Sequence, residues 1–240
     1  MDYNINQKSI SDISPGFTLF SQNLLSTALT TIGYSYQSGT HRFHSQFIYR
    51  GWYPVFRLSA NYGGKPDVIR YSSVKWSPEL SNDYMKFNAS VSLPMNFTTN
   101  RYITGMIPSI NYEYDRDYYH NIRENYYLRG LKTIDYNVWF YHYQRMAHRD
   151  LQPRWGFTFD LNLRTSPFSE NILGNMTSVT SQAYMPGFFE DHGMKLKIGY
   201  QRQNPEAYLY TSYLQFPRGF KPSRTQKLFT FQSNYLFLLF

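Results

Sequence analysis

Glu113, Asp115 and Asp117 recur at i, i+2 and i+4. On a strand, successive side chains point to opposite faces, so carboxylates at this spacing share one face. Three such oxygen donors could ligate Ca²⁺ or exchange protons. No Asp-rich calcium loop with its Gly accompanies them, and a solvated acidic stripe is the simpler reading. The six histidines (His41, His44, His120, His142, His148 and His192) include no His-Glu-x-x-His and no pair backed by a nearby Glu. The chain has no Gly-x-Ser-x-Gly, no phosphate-binding glycine loop and no dinucleotide fingerprint. It also has no Cys, which excludes a disulfide framework, a cysteine nucleophile and a thiolate metal site. Three Asn-x-Ser/Thr triplets, at Asn88, Asn96 and Asn175, read as chance in so Asn-rich a chain. These residues call for neither catalysis nor a cofactor or metal.

The elements that would position these residues show period two. Met85, Phe87, Ala89, Val91, Leu93, Met95 and Phe97 form one phase, against Lys86, Asn88, Ser90, Ser92 and Asn96. Trp155, Phe157, Phe159, Leu161 and Leu163 alternate with Arg154, Thr158, Asp160, Asn162 and Arg164. Met194, Leu196, Ile198 and Tyr200 alternate with Lys195, Lys197, Gly199 and Gln201. Each segment therefore has one apolar and one polar face, and none shows sustained apolar recurrence at helical spacing. An all-β chain follows. Its polar phase carries Arg154, Asp160 and Arg164, and Glu113, Asp115 and Asp117 lie opposite the phase of Ile110, Tyr112 and Tyr114.

Composition narrows the class. The 240 residues include 24 Tyr, 19 Phe and 4 Trp, 20% of the chain, so there is ample surface to bury and disorder is not expected. Charged residues are only 17%, below the usual quarter of a soluble domain. The longest wholly apolar run, Tyr235 to Phe240, is far short of the ~20 residues a spanning helix needs. The net charge of +8 admits nucleic acid, or anionic lipid and lipopolysaccharide, as partners. A single-strand nucleic-acid binder concentrates its aromatics on one platform. Here they recur in nearly every strand, so nucleic acid is set aside.

Strand length discriminates further. The alternating runs last roughly 10 to 15 residues, against a mode near 5–6 in globular proteins and about 9–11 for a tilted strand crossing a bilayer. Gly, Pro and Asn breaks leave about twelve strands, near 23–37, 41–52, 54–63, 67–76, 84–98, 104–117, 132–146, 153–165, 176–186, 192–203, 206–216 and 227–240. Surface loops are expected near 118–131 and 166–176. With no linker or composition shift, the chain reads as an N-terminal extension at 1–22 and one β domain at 23–240. Long alternating strands, abundant aromatics and low charge together predict an antiparallel transmembrane β-barrel of the outer-membrane kind. Lipid offers no partner for backbone polar groups, so a spanning sheet must close on itself. Tyr34 and Tyr36, Trp52 and Tyr53, Tyr112 and Tyr114, and Trp139 and Tyr141 lie near segment ends, where Tyr and Trp collect at lipid–water interfaces.

One short stretch is more pointed: Phe216-Pro-Arg-Gly-Phe220, before the last strand. An Arg-Gly-Phe/Tyr loop between the eleventh and twelfth strands resembles that of the bacterial surface-antigen barrels, the BamA-type outer-membrane assembly and translocation superfamily. Gly16-Phe-Thr-Leu-Phe-Ser-Gln-Asn-Leu-Leu25 and Arg50-Gly-Trp-Tyr-Pro54 resemble the barrel half of Bacteroidetes proteins that join a periplasmic TolB-like propeller to such a barrel. The resemblance implies a functional loop at 217–226 with Arg218, Gly219 and Phe220 at its centre. Arg218 would fold back into the lumen to meet an acidic or aromatic partner. Glu113, Asp115, Asp117, Arg154, Asp160 and Arg164 would then be lumen-facing. It further implies a non-enzymatic role in inserting or exporting envelope proteins, with outer-membrane lipid, lipopolysaccharide, client outer-membrane proteins and a TolB-like domain as partners. The location would be the bacterial outer membrane.

The chain departs from that family: such barrels have about sixteen strands, four of them after this loop, and here one follows, without the periplasmic domains. The expectation is either part of a sixteen-stranded barrel or a complete barrel of about twelve. The first residues, Met-Asp-Tyr-Asn-Ile-Asn-Gln, show no signal peptide, so a cytoplasmic protein or a mature or excised piece is expected. A passive channel or solute transporter is a second reading, and a soluble all-β carbohydrate-binding module a third.

Overall fold

The computed structural model describes residues 15–37, 39–64, 84–146, 152–168, 173–189, 192–214, 216 and 224–237. They form Gly16–Gln22 (β1), Ala28–Gln37 (β2), Thr40–Tyr49 (β3), Val55–Gly63 (β4), Met85–Ser92 (β5), Met95–Asn96 (β6), Tyr102–Asn121 (β7), Tyr126–Gln144 (β8), Gly156–Thr165 (β9), Gly174–Pro186 (β10), Gly193–Pro205 (β11) and Lys227–Leu236 (β12). There is no helix among the described residues. The strands make one antiparallel sheet in the order β1-β2-β3-β4-β5-β7-β8-β9-β10-β11-β12, with β6 added on β7. The all-β reading is therefore correct. Apart from β5, which lies beside β7, neighbours in the sheet are neighbours in sequence, the up-and-down arrangement that antiparallel strands joined in succession make.

Several boundaries differ from expectation, each for a local reason. Gly16–Gln22, placed in the extension, is a strand paired with β2 from Gly16↔Ser35 to Gln22↔Leu29. The segment expected at 84–98 breaks at Leu93-Pro94, because Pro has no N–H to give the ladder. Beyond the break, β6 meets β7 at Met95↔Met106. The loop expected at 118–131 is mostly strand: β7 and β8 run on to a four-residue turn closed by Asn125, whose φ is 55°. Cross-strand ring contacts hold this extension, with Arg129 over the Tyr118 ring (5.5 Å) and His120 edge-on to Tyr127 (5.7 Å). These aromatics follow no apolar/polar alternation, so period two did not reveal the strands. The strand expected at 206–216 is not a strand. Residues 206–214 are irregular and largely buried. The strand expected at 67–76 lies outside the described residues.

The described residues fall into two units, one drawn from 1–90, 112–121 and 125–132, the other from 91–111, 122–124 and 133–240. In the first, register aligns Phe17, Tyr34, Phe43 and Tyr62 in one row and Leu19, Ile32, Ser45 and Ala60 in the next, on one face. The opposite face carries Thr18, Gly33, His44 and Asn61 in a row. Gly33 is required there: a Cβ would overlap the His44 ring. In the second unit the most buried apolar side chains are Leu173, Met176, Ala207, Tyr208, Tyr210 and Leu214. The core thus lies where 206–214 meets the sheet, on the face that carries the polar phase.

Candidate functional site

The two faces of β8–β12 are chemically inverted relative to a soluble sheet. One face carries Asp135, Arg164 and Gln203 in one row and Asn137, Asn162, Ser178 and Gln201 in the next. The other carries Val138, Leu161, Val179, Tyr200 and Phe229, then Phe140, Phe159, Ser181, Ile198 and Phe231. The polar side is the covered one: Gln201 and Gln203 are 0% and 4% exposed, whereas Phe229 and Phe231 are 65% and 59% exposed. In a water-soluble sheet, burial of apolar area would drive the reverse.

Residues 206–214 close over this polar face as a clasp. The Leu173 carbonyl accepts hydrogen bonds from the backbone N–H groups of Glu206 (3.3 Å), Ala207 (3.3 Å) and Tyr208 (3.0 Å), which turns the chain back after β11. The Gln203 side chain then stands in for a backbone ladder. Its Oε1 accepts from Tyr210 N (2.9 Å) and its Nε2 donates to Tyr210 O (2.9 Å) and Thr225 O (3.1 Å). Gln201 Oε1 accepts from the Ser212 hydroxyl (2.9 Å) and from Tyr213 N (2.9 Å). Leu214 packs on Gly199, where a Cβ would come within 2.8 Å of it. The long polar arms of two glutamines thus satisfy irregular backbone that burial would otherwise penalise.

At the centre lies a charge pair. Arg164 Nη2 donates to Asp135 Oδ2 at 2.7 Å, the partners being direct cross-strand neighbours on β9 and β8. The guanidinium plane meets the Tyr213 ring (4.9 Å to its centre) and the Tyr210 ring (5.6 Å). Tyr213 OH donates to Asp135 Oδ1 (2.9 Å), and Tyr210 OH donates to the Gly174 carbonyl (3.3 Å). Burial pushes the Tyr210 phenol above its ordinary value, opposed by a hydrogen bond with Ser166 and by the Arg164 charge. An Arg flanked by a carboxylate and two rings is the planar, charge-assisted contact that Lys cannot make.

In the first unit, one cation meets two carboxylates of the acidic stripe. Lys86 Nζ lies 2.8 Å from Glu113 Oε1 and 3.8 Å from Asp115 Oδ2. Asp115 Oδ1 accepts from Asp117 N (3.1 Å), and Asp117 Oδ1 accepts from Tyr118 N (2.7 Å). Asp115 and Asp117 line a recess of about 620 Å³ together with Arg42, His44, Asn61 and Tyr84. Among the described residues, no group of three His, Cys, Asp or Glu is placed to hold a metal ion.

Asp160 sits on the polar face, accepting from Asn137 Nδ2 (2.6 Å) and Asn162 Nδ2 (2.9 Å). Arg154 is exposed in the turn before β9. Arg218, Gly219 and Phe220 lie outside the described residues. Sequence reasoning named Arg164 but missed its partners Asp135, Tyr210 and Tyr213, and missed Gln201 and Gln203. The available signals were the polar alternation Gln201, Gln203 and the three Tyr between 208 and 213 just after Pro205.

The exposed face of β11 and β12 has a measurable length along the strands. From the Arg202↔Lys227 row to the Met194↔Tyr235 row is eight steps, about 27 Å along the strand at ~3.4 Å each. Aromatics mark the far end. Tyr235 OH accepts from Phe188 N (3.1 Å), stands 2.9 Å from His192 Nδ1, and its ring stacks on Phe188. Comparison of the chain with protein-family models, curated proteins and solved structures finds no match in any of the three.

Proposed function

We propose that this chain is an outer-membrane β-barrel, or a large part of one, of the surface-antigen type, acting in insertion or export of envelope proteins. The inverted sidedness of β8–β12 carries the membrane part of the reading. A sheet that covers Gln201 and Gln203 while exposing Phe229 and Phe231 matches a solvent of lipid outside and a polar interior. The nine residues from Met194 to Arg202 agree with the about 9–11 with which a tilted strand crosses a bilayer. Closure requires pairing at the free edges of β1 and β12, with each other or through further strands. The role in protein insertion or export rests on the Arg218-Gly219-Phe220 resemblance. The clasp supports a covered polar face over an open pore, because it occupies the same β11–β12 connection.

The test reconstitutes the chain in lipid vesicles and adds an unfolded outer-membrane β-barrel as client. Faster client folding than in empty vesicles, read by heat-modifiable migration, is the expected result. Steady open conductance without acceleration would instead establish a passive channel. A chain that stays monomeric and soluble without detergent would remove both membrane readings.

A further inference from the structure

Arg202 and Lys227 break the apolar phase of β11 and β12 at one end. They are direct cross-strand partners, both exposed, on the face that continues as Tyr200 with Phe229 and Ile198 with Phe231. The row extends through Thr177, Leu163 and Tyr136 and brings no carboxylate to the pair. Among the described residues, neither cation makes an ion pair. The other cations of β11, Lys195 and Lys197, lie on the opposite phase, where Lys195 stands 5.9 Å from the centre of the Tyr184 ring.

Like charges directly opposite each other destabilise an antiparallel pair. An anion shared between them removes that repulsion, and strands ~4.8 Å apart let both side chains reach one phosphate. Arg supplies a planar fork to two phosphate oxygens and Lys a mobile point charge. The apolar rows continue from this pair toward Met194 and Tyr235, which suits acyl chains lying along the strands.

We propose that Arg202 and Lys227 form a headgroup site for an anionic phospholipid whose acyl chains lie along the apolar face of β11 and β12. The site rests on the membrane reading above and adds the partner that this face selects. It also sets which end of the strands lies at the headgroups: the end where β11 finishes and β12 begins.

The test folds the full chain into vesicles of phosphatidylcholine alone and of phosphatidylcholine with a minor fraction of phosphatidylglycerol. Native mass spectrometry then counts the phosphatidylglycerol retained. Wild type is expected to retain it preferentially. Arg202→Gln and Lys227→Gln should each lower retention about 5-fold, and the double variant about 30-fold. Lys195→Gln, on the opposite phase, should leave it unchanged. Equal retention by wild type and the double variant overturns the site, as does an equal loss in Lys195→Gln. Displacement of the lipid by inorganic phosphate would show an anion site without lipid selectivity and overturns it too. If the variants fail to fold in phosphatidylcholine, the wild type still decides: retention held by these cations falls as salt rises, and retention that persists refutes them. Failure of wild type to enter phosphatidylcholine vesicles is a different outcome, which defeats the membrane reading itself.

Discussion

Arg164 stands at the centre of the polar contacts beneath residues 206–214. Its guanidinium joins a carboxylate on the next strand to two Tyr rings of the clasp, with both charged side chains largely buried. Lys at this position would keep the charge and lose both the fork and the ring contact. Arg164→Lys should therefore lower stability by about 1–3 kcal/mol, read as the urea midpoint in detergent micelles. An unchanged midpoint would mean that the planar contact contributes nothing. The pairing could not be read along the chain. Asp135 and Arg164 are 29 positions apart, and only the β8–β9 register sets them side by side. By contrast, the Glu113-Asp115-Asp117 face was legible, because i, i+2, i+4 geometry is local; what stayed hidden was Lys86, supplied by another strand.

Among the elements, the segment 206–214 departs most from expectation. Its composition, rich in Tyr and preceded by a strand-like run, reads as one more strand. It is held instead by two glutamine side chains, and Pro205 ends β11 just before it. Its pH response follows from Tyr210. The folded-state phenol value is raised above the ordinary 10, mainly by burial. Below the ordinary value the phenol is neutral folded or unfolded, so its contribution is fully present. As pH rises past it, the unfolded chain ionises first and the clasp weakens. Proteolysis within 206–214 should hence stay constant through neutral pH and increase in the alkaline range. Tyr210→Phe should lose that alkaline limb at a cost of about 1–3 kcal/mol from the hydrogen bonds its hydroxyl makes with Gly174 and Ser166. An alkaline limb that survives in Tyr210→Phe would assign it to another group.

At the scale of the whole molecule, the distribution of apolar surface sets the solvent the sheet needs. Phe231 lies four residues from Lys227 and four from Tyr235, at the middle of the exposed band. Phe231→Arg should then cost about 2–4 kcal/mol of folding into vesicles, as at the midplane of a lipid-facing barrel wall. Gln232→Glu, on the opposite phase beside Lys197, should fold nearly as wild type. The two are compared by the fraction showing heat-modifiable migration. The reverse order would mean that water, not lipid, faces Phe231.

The sequence by itself determined the all-β class, the long strands and which residues share a face. These follow from period two, a property of a few neighbouring residues. It did not determine which face is covered. Alternation looks the same in a sheet that hides its apolar side and in one that hides its polar side. That choice, and with it the clasp, the Arg164–Asp135 pair and the Arg202–Lys227 row, came only with register and tertiary placement. Each depends on residues distant in the chain being brought together, which no local spacing encodes.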